Sequence, residues 1–199
     1  MLYSIARWLF IVLFFLFFRY RVYGRDNIPR APFIVCSNHM SWLDPPLVAC
    51  IFERRHQVYF MAKEELFDIP LLGLILERIG SFPVKKDTAD RRAITKALQL
   101  LKDDKVVGMF PEGTRSRKGK LQQFFDGASW IALKSQTPVV PVAIKGPYRL
   151  FRPTEVFIGP PLYFDYYRQG KKYGRDDLKE VSGKISRGIY RLLEEETVS

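Results

Sequence analysis

The sequence predicts an α/β fold: a single domain with a mostly parallel central sheet flanked by helices, preceded by one hydrophobic helical segment. Three observations carry that prediction. The chain has 199 residues, 47% apolar and 27% charged, which suits one ordinary globular core and excludes a disordered or fibrous chain. Short runs rich in Val, Ile and Phe alternate with longer stretches of helical periodicity, the order expected when crossover helices join parallel strands. No internal repeat, low-complexity tract or linker breaks the pattern after residue 20.

At the N-terminus, residues 8–18 (WLFIVLFFLFF) are all apolar, with Arg7 before them and Arg19, Tyr20 and Arg21 after. A bilayer-crossing helix takes about 20 apolar residues. Counting back through Leu2, Tyr3, Ile5 and Ala6 gives about seventeen, and only by enclosing Arg7. A signal peptide is disfavoured, because the basic, bulky flank offers no small-x-small cleavage site. Three arrangements stay open: a shallow or re-entrant membrane anchor, a short transmembrane anchor, and a helix buried in the core. The flanking arginines and aromatics favour the first, since they suit the headgroup level beside anionic lipid. On this reading residues 1–24 form a membrane-associating segment and residues 25–199 the folded domain. The expected place is the cytoplasmic face of the cell membrane, peripheral or monotopic.

Strands are expected at 33–36 (FIVC), 58–61 (VYFM), 82–84, 106–110 (VVGMF) and 139–144 (VVPVAI). Helices are expected between them at 45–52, 70–79, 88–102 and 126–135. The helix at 88–102 is the most regular: Ala89, Ala93, Ala97, Leu98 and Leu101 share one stripe, while Asp90, Arg91, Lys96 and Asp103 turn to solvent. Residues 156–158 and 162–164 flank Gly159-Pro160-Pro161 and read as added edge strands. A last helix is expected at 176–195, where Leu178, Val181, Ile185, Ile189 and Leu192 recur every three or four residues.

The formal charge is +11, from 32 Lys+Arg against 21 Asp+Glu, which favours polyanionic partners such as anionic lipid or phosphorylated substrates. No nucleic-acid recognition motif accompanies it, so nucleic acid is not an expected partner. The two cysteines, Cys36 and Cys50, are too few for a disulfide scaffold and read as small buried hydrophobes. A zinc set of Cys36, His39, Cys50 and His56 has spacings C-x2-H and C-x5-H, the second of which fits no common pattern, so no metal is expected.

Two motifs sit just after predicted strands, where sites gather in such sheets. The first is Asn38-His39-Met40-Ser41-Trp42-Leu43-Asp44. Asp44 reads as a helix N-cap with Pro45 at the first helical position. A carboxylate held there also suits a hydrogen bond from one ring nitrogen of His39, which fixes the tautomer and leaves the other nitrogen as a base. On a continuous helix the two side chains would stand about 140° apart, so the residues between them must turn. The second motif is Phe110-Pro111-Glu112-Gly113-Thr114-Arg115-Ser116, followed by Arg117, Lys118 and Lys120. A basic, glycine-bearing loop at a strand end suits phosphate, through backbone amides and Arg115; the plainer reading is an exposed basic turn. It is not a nucleotide P-loop: Gly113 and Gly119 are separated by five residues, and Leu121 follows Lys120. Neither G-x-G-x-x-G nor G-x-S-x-G occurs, which disfavours dinucleotide binding and serine hydrolysis.

In this order and spacing, NHMSWLD, FPEGTRS and VPVAIKG resemble the glycerolipid acyltransferase family, which includes the 1-acyl-glycerol-3-phosphate acyltransferases that make phosphatidic acid. The resemblance covers about residues 38–146. It implies transfer of a fatty acyl group from a thioester, on acyl carrier protein or coenzyme A, to the sn-2 hydroxyl of lysophosphatidic acid, with no cofactor. His39 resembles the family's catalytic base and Asp44 its charge partner. Asn38, Glu112, Gly113, Thr114 and Arg115 fall in the blocks through which the family binds its substrate. The family's second block usually ends in an arginine; here Gly80-Ser81-Phe82-Pro83-Val84-Lys85-Lys86 puts Lys86 there, which keeps the charge but loses the bidentate fork. Pro141 belongs to the last block and is expected to be structural. A thiolate leaves readily, so direct transfer is expected, with backbone amides stabilising the oxyanion. The rivals are Cys36 as a covalent nucleophile, glycerol 3-phosphate or another lysophospholipid as acceptor, and a non-catalytic protein that binds anionic lipid.

Overall fold

The computed structural model describes residues 2–18, 20–53, 55–85, 90–115, 124–146, 148, 153–167 and 172–194. In chain order its elements are helix α1 (Leu2–Phe17), strands β1 (Tyr20–Tyr23) and β2 (Phe33–Ser37), helix α2 (Asp44–Ile51), strand β3 (Val58–Lys63) and helix α3 (Leu72–Arg78). Strand β4 (Phe82–Val84), helix α4 (Arg91–Lys102), strand β5 (Val106–Met109), helix α5 (Gly127–Ser135), strands β6 (Val139–Lys145) and β7 (Thr154–Ile158), and helix α6 (Arg175–Glu194) follow. The strands form one sheet in the order β1-β7-β6-β2-β5-β3-β4. From β6 to β4 all neighbours are parallel, β7 is antiparallel to β6, and β1 runs parallel to β7. The expected α/β domain with a mostly parallel sheet is therefore present.

The side-chain period of two divides each central strand between two cores. Ile34 and Cys36 of β2, with Val107 and Met109 of β5, face α4, α5 and α6. Phe33 and Val35, with Val106, Val140 and Val142, face α1 and α2. Burial on both faces explains why these strands read as continuous apolar runs rather than alternating ones.

The differences from expectation have local causes. Strand β1 was not foreseen, because YRVY sits between an apolar run and a turn; it pairs with β7, Val22 opposite Val156. Residues 162–164 form no strand: after Pro160 and Pro161, which have no N–H to donate, only Leu162 exchanges hydrogen bonds with Val139, at 2.8 and 2.9 Å. Helix α4 begins at Arg91 because Asp90, expected on its solvent face, is its N-cap and accepts from the amides of Arg92 and Ala93. Ala89 lies outside the described residues. Pro141 sits in β6 where the neighbour on that side changes from Leu162 to Ile158, so its missing N–H costs little.

Helix α1 has 16 residues, about 24 Å of rise. Among the described residues no helix is long and apolar enough to cross a membrane. Nor is α1 a core helix, since only Phe14 is fully buried while Trp8 and Phe15 are 62% and 76% exposed. Arg7 does not reach outward as the flanking-charge argument supposed. Its guanidinium donates to the carbonyls of Ala49, Cys50 and Phe52, and so caps the C-terminus of α2. That tie fixes α1 against the helix that begins at Asp44.

Candidate active site

Strands β2 and β5 are adjacent and parallel, with Cys36 opposite Met109. The chain therefore leaves the sheet at Asn38 and at Phe110 side by side. From β2 it crosses through α2 towards β3; from β5 it crosses over the other face through α5 towards β6. Where neighbouring strands send their connections in opposite directions a crevice opens beyond the strand ends. Both motifs lie there.

Asp44 is fully buried. Its Oδ2 accepts from Nδ1–H of His39 at 2.8 Å, from the amide of Met40 at 2.5 Å and from the amide of Ser41 at 2.7 Å. The required turn between His39 and Asp44 is thus wrapped around the carboxylate. The expected N-cap role needs correction. Leu43 is the N-cap, Asp44 is already helical, and the next two residues are prolines without an N–H to cap. The donors within reach lie upstream, so the carboxylate folds back over the turn. Nδ1 being occupied, Nε2 of His39 is the nitrogen left for a substrate proton. The imidazole stacks on Phe110 (centroids 4.3 Å, 26° between planes), and Phe110 stacks on Phe60 at 5.7 Å. Ring packing and the Asp44 bond together hold the imidazole in one orientation.

Sequence reasoning missed Tyr148. Its hydroxyl donates to Oδ1 of Asp44 at 2.5 Å, across 104 residues of chain, and its ring meets Phe18 edge-on. Burial, then the charge of Asp44, pushes the phenol well above the usual tyrosine range, so it stays a donor. No spacing rule could have found it, since it follows VPVAIKG outside the quoted blocks. Tyr148 is a positioning residue acting through Asp44. Tyr148→Phe should lower kcat on the order of tenfold, the loss of one hydrogen bond to a charged group. Steady-state rates of the purified variant, with a thermal melt to confirm its fold, check this.

The other predicted residues divide by geometry. The Asn38 amide is spent on the sheet: it donates to the Ile144 carbonyl at 3.0 Å and accepts from the Ile144 amide at 2.8 Å. Glu112 is 1% exposed and accepts from the backbone N–H of His39 at 3.0 Å, which ties the second motif loop to the first. These contacts make both residues braces between segments. Gly113 adopts φ +63°, and a Cβ there would come within 2.6 Å of the Phe125 ring, so the loop needs glycine at this turn. Thr114 and Arg115 line the crevice, and the Arg115 guanidinium lies 4.4 Å over the Trp42 ring. Trp42, also unforeseen, is the platform that orients this arginine. Lys86 lies outside the described residues, as do Ser116 and the basic residues Arg117, Lys118 and Lys120.

His39, Phe110 and the Gly113–Arg115 turn open onto a groove of about 1950 Å³. Its walls are apolar side chains from α1 (Tyr3, Phe10), α3 (Leu72, Ile75, Leu76) and α4 (Ile94, Leu98), with Lys63, Lys85, Arg91 and Arg115 among the polar lining. Cys36 and Cys50 belong to opposite cores and cannot join His39 in one coordination sphere. Cys36 is fully buried, and burial pushes its thiol up to about 12. Cys36→Ala should therefore keep its turnover, and labelled acyl donor should leave no covalent label on the protein. Intact-mass measurement after mixing with donor tests this.

An imidazole held by a buried carboxylate, a basic turn beside it and a long apolar groove suit a site for moving an acyl chain onto a hydroxyl. The chain belongs to the acyltransferase family, whose pattern residues 19–145 match. It is 33% identical over 150 residues to the 1-acyl-sn-glycerol-3-phosphate acyltransferase of Bacillus subtilis, covering 72% of this chain and 73% of that one. It is 32% identical over 128 residues to the lyso-ornithine lipid O-acyltransferase of Pseudomonas aeruginosa, covering 64% of this chain and 47% of the other. It spans about two fifths of the length of the plant and algal relatives that it matches. Among solved structures, the 1-acyl-sn-glycerophosphate acyltransferase PlsC of Thermotoga maritima superposes with a TM-score of 0.71 at 28% identity, covering 98% of this chain and 80% of that one.

Proposed function

We propose that the protein is an O-acyltransferase that moves a fatty acyl group from a thioester to the sn-2 hydroxyl of 1-acyl-glycerol 3-phosphate, forming phosphatidic acid. The observation that carries this reading is the meeting of the His39–Asp44 pair and the Gly113–Arg115 turn at neighbouring strand ends above an apolar groove. The acceptor hydroxyl gives its proton to Nε2 of His39 as its oxygen attacks the thioester carbonyl carbon. Asp44 stabilises the imidazolium that forms. The C–S bond then breaks, and the departing thiolate takes the proton back from His39. Arg115, steadied on Trp42, holds the acceptor phosphate together with the Gly113–Thr114 backbone. The apolar groove receives acyl chain.

The donor thioester is carried on acyl carrier protein or coenzyme A, both acidic, and the +11 charge suits either. We place the protein on the cytoplasmic face of the cell membrane as a peripheral or monotopic protein. The exposed apolar side of α1, with Trp8, Leu9, Phe15 and Leu16, supports this placement. Recovery of the protein in the soluble fraction at low salt without detergent would count against it.

The deciding experiment is an assay of purified protein with lysophosphatidic acid and each donor in turn. Formation of phosphatidic acid is expected with at least one donor. Turnover with neither would remove the assignment. The Pseudomonas relative, named for a lyso-ornithine lipid, favours including other lysolipids as competing acceptors. A higher kcat/KM for one that lacks phosphate would transfer the reading to it.

A further inference from the structure

We infer that α3 and the turn before it form a second lipid-inserting element, which docks the groove mouth directly onto an anionic bilayer. The inference rests on the membrane-surface reading above and adds a contact site made by the catalytic domain itself. Two faces of α3 do different things. Leu72, Ile75, Leu76 and Ile79, spaced as one helical stripe, line the groove that leads to His39. Leu71 and Leu74 do not line it; they are 70% and 56% exposed, with exposed Arg78 one turn further along the same stripe.

The backbone at Leu71 gives the second observation. The Leu72 amide donates to the Pro70 carbonyl at 2.8 Å, closing a γ-turn whose central residue, Leu71, has φ 65° and ψ −48°. This is the rarer, strained hand of the γ-turn, costly for a residue with a branched side chain. A glycine at 71 would fit that backbone with less strain. The glycine stands instead at 73, where a Cβ would come within 2.1 Å of the Phe67 carbonyl oxygen, so the turn is seated firmly on the preceding segment. A strained leucine held outward on a rigid seat is intelligible if its side chain is buried in something outside the protein.

The occupant follows from continuity and charge. Helix α1 lines the same groove with Tyr3 and Phe10 while Trp8 and Leu9 on that helix are exposed. Two helices that line one apolar groove thus each also carry exposed apolar side chains, on a protein of charge +11 with Arg78 beside the α3 patch. That combination suits an anionic bilayer, where apolar tips enter the acyl boundary and arginine stays at the headgroups. With both helices in the lipid, a tail can pass from bilayer to groove without crossing water.

The test uses full-length protein and phosphatidylglycerol vesicles. The double variant Leu71→Asp/Leu74→Asp should bind these vesicles roughly tenfold or more weakly than wild type in co-sedimentation. It should keep its turnover on short-chain lysophosphatidic acid and thioester dispersed below their aggregation concentrations. As a second readout, Leu74→Cys carrying an environment-sensitive dye should shift to the blue on vesicle addition, which needs no destabilising charge. Equal vesicle binding by the double variant, or no dye shift while wild type binds, would overturn the α3 contact and leave the α1 reading standing. Failure of wild type to bind vesicles would remove both. A dimer that the double variant converts to monomer in the absence of lipid would assign the patch to a second copy of the chain and overturn the proposal.

Discussion

Replacing His39 by alanine should lower kcat by roughly 10²–10⁴-fold, the usual loss when a positioned general base is removed. The fold should survive. The backbone N–H of His39 that Glu112 uses is still present, and Asp44 keeps the amides of Met40 and Ser41 and the Tyr148 hydroxyl. KM for the acceptor should change little, because the imidazole acts on the hydroxyl proton and not on the phosphate. Purified protein, initial rates with saturating donor and a thermal melt matching wild type are the measurements needed. A variant that folds normally and turns over at the wild-type rate would move the chemistry away from His39.

Arg115→Ala should act on binding instead. A hydrogen bond to a charged group contributes about 1.5–3 kcal/mol, so kcat/KM for a phosphorylated acceptor should fall roughly 10- to 150-fold. The loss should appear mainly in KM. Arg115→Lys should recover only part of it, since lysine keeps the charge without the planar fork that stacks on Trp42 at 4.4 Å. Titration of the acceptor at fixed donor separates the two parameters. Unchanged acceptor dependence in Arg115→Ala would take the phosphate away from this turn.

Much of the architecture was legible because it rests on local signals. Val, Ile and Phe runs at β2, β5 and β6 are buried on both faces, so they stand out as unbroken apolar segments. Helix α6 shows its buried stripe of Val181, Ile185, Ile189 and Leu192 as a plain three-and-four spacing. Elements whose partner lies elsewhere were harder. Strand β1 gains its stability from pairing with β7, about 130 residues along the chain, and its four residues carry no pattern long enough to read. The cap at Asp44 was misassigned for the opposite reason. Local statistics favour an aspartate before a helix, but the prolines that follow remove the donors a cap would use.

His39, Asp44 and the Glu112–Gly113–Thr114–Arg115 turn could be read from the chain alone as candidate site residues, in loops that follow predicted strands and with spacing that resembles one acyltransferase family. How they meet depends on the fold. The strand order puts β2 beside β5, so two loops more than 60 residues apart leave the sheet together. It also brings Tyr148 onto Asp44, Trp42 under Arg115, Phe110 against the imidazole and Asn38 onto Ile144. The His39 and Arg115 side chains are held by hydrogen bonds or ring packing from several directions. Those neighbours come from distant parts of the chain, where no local pattern can announce them.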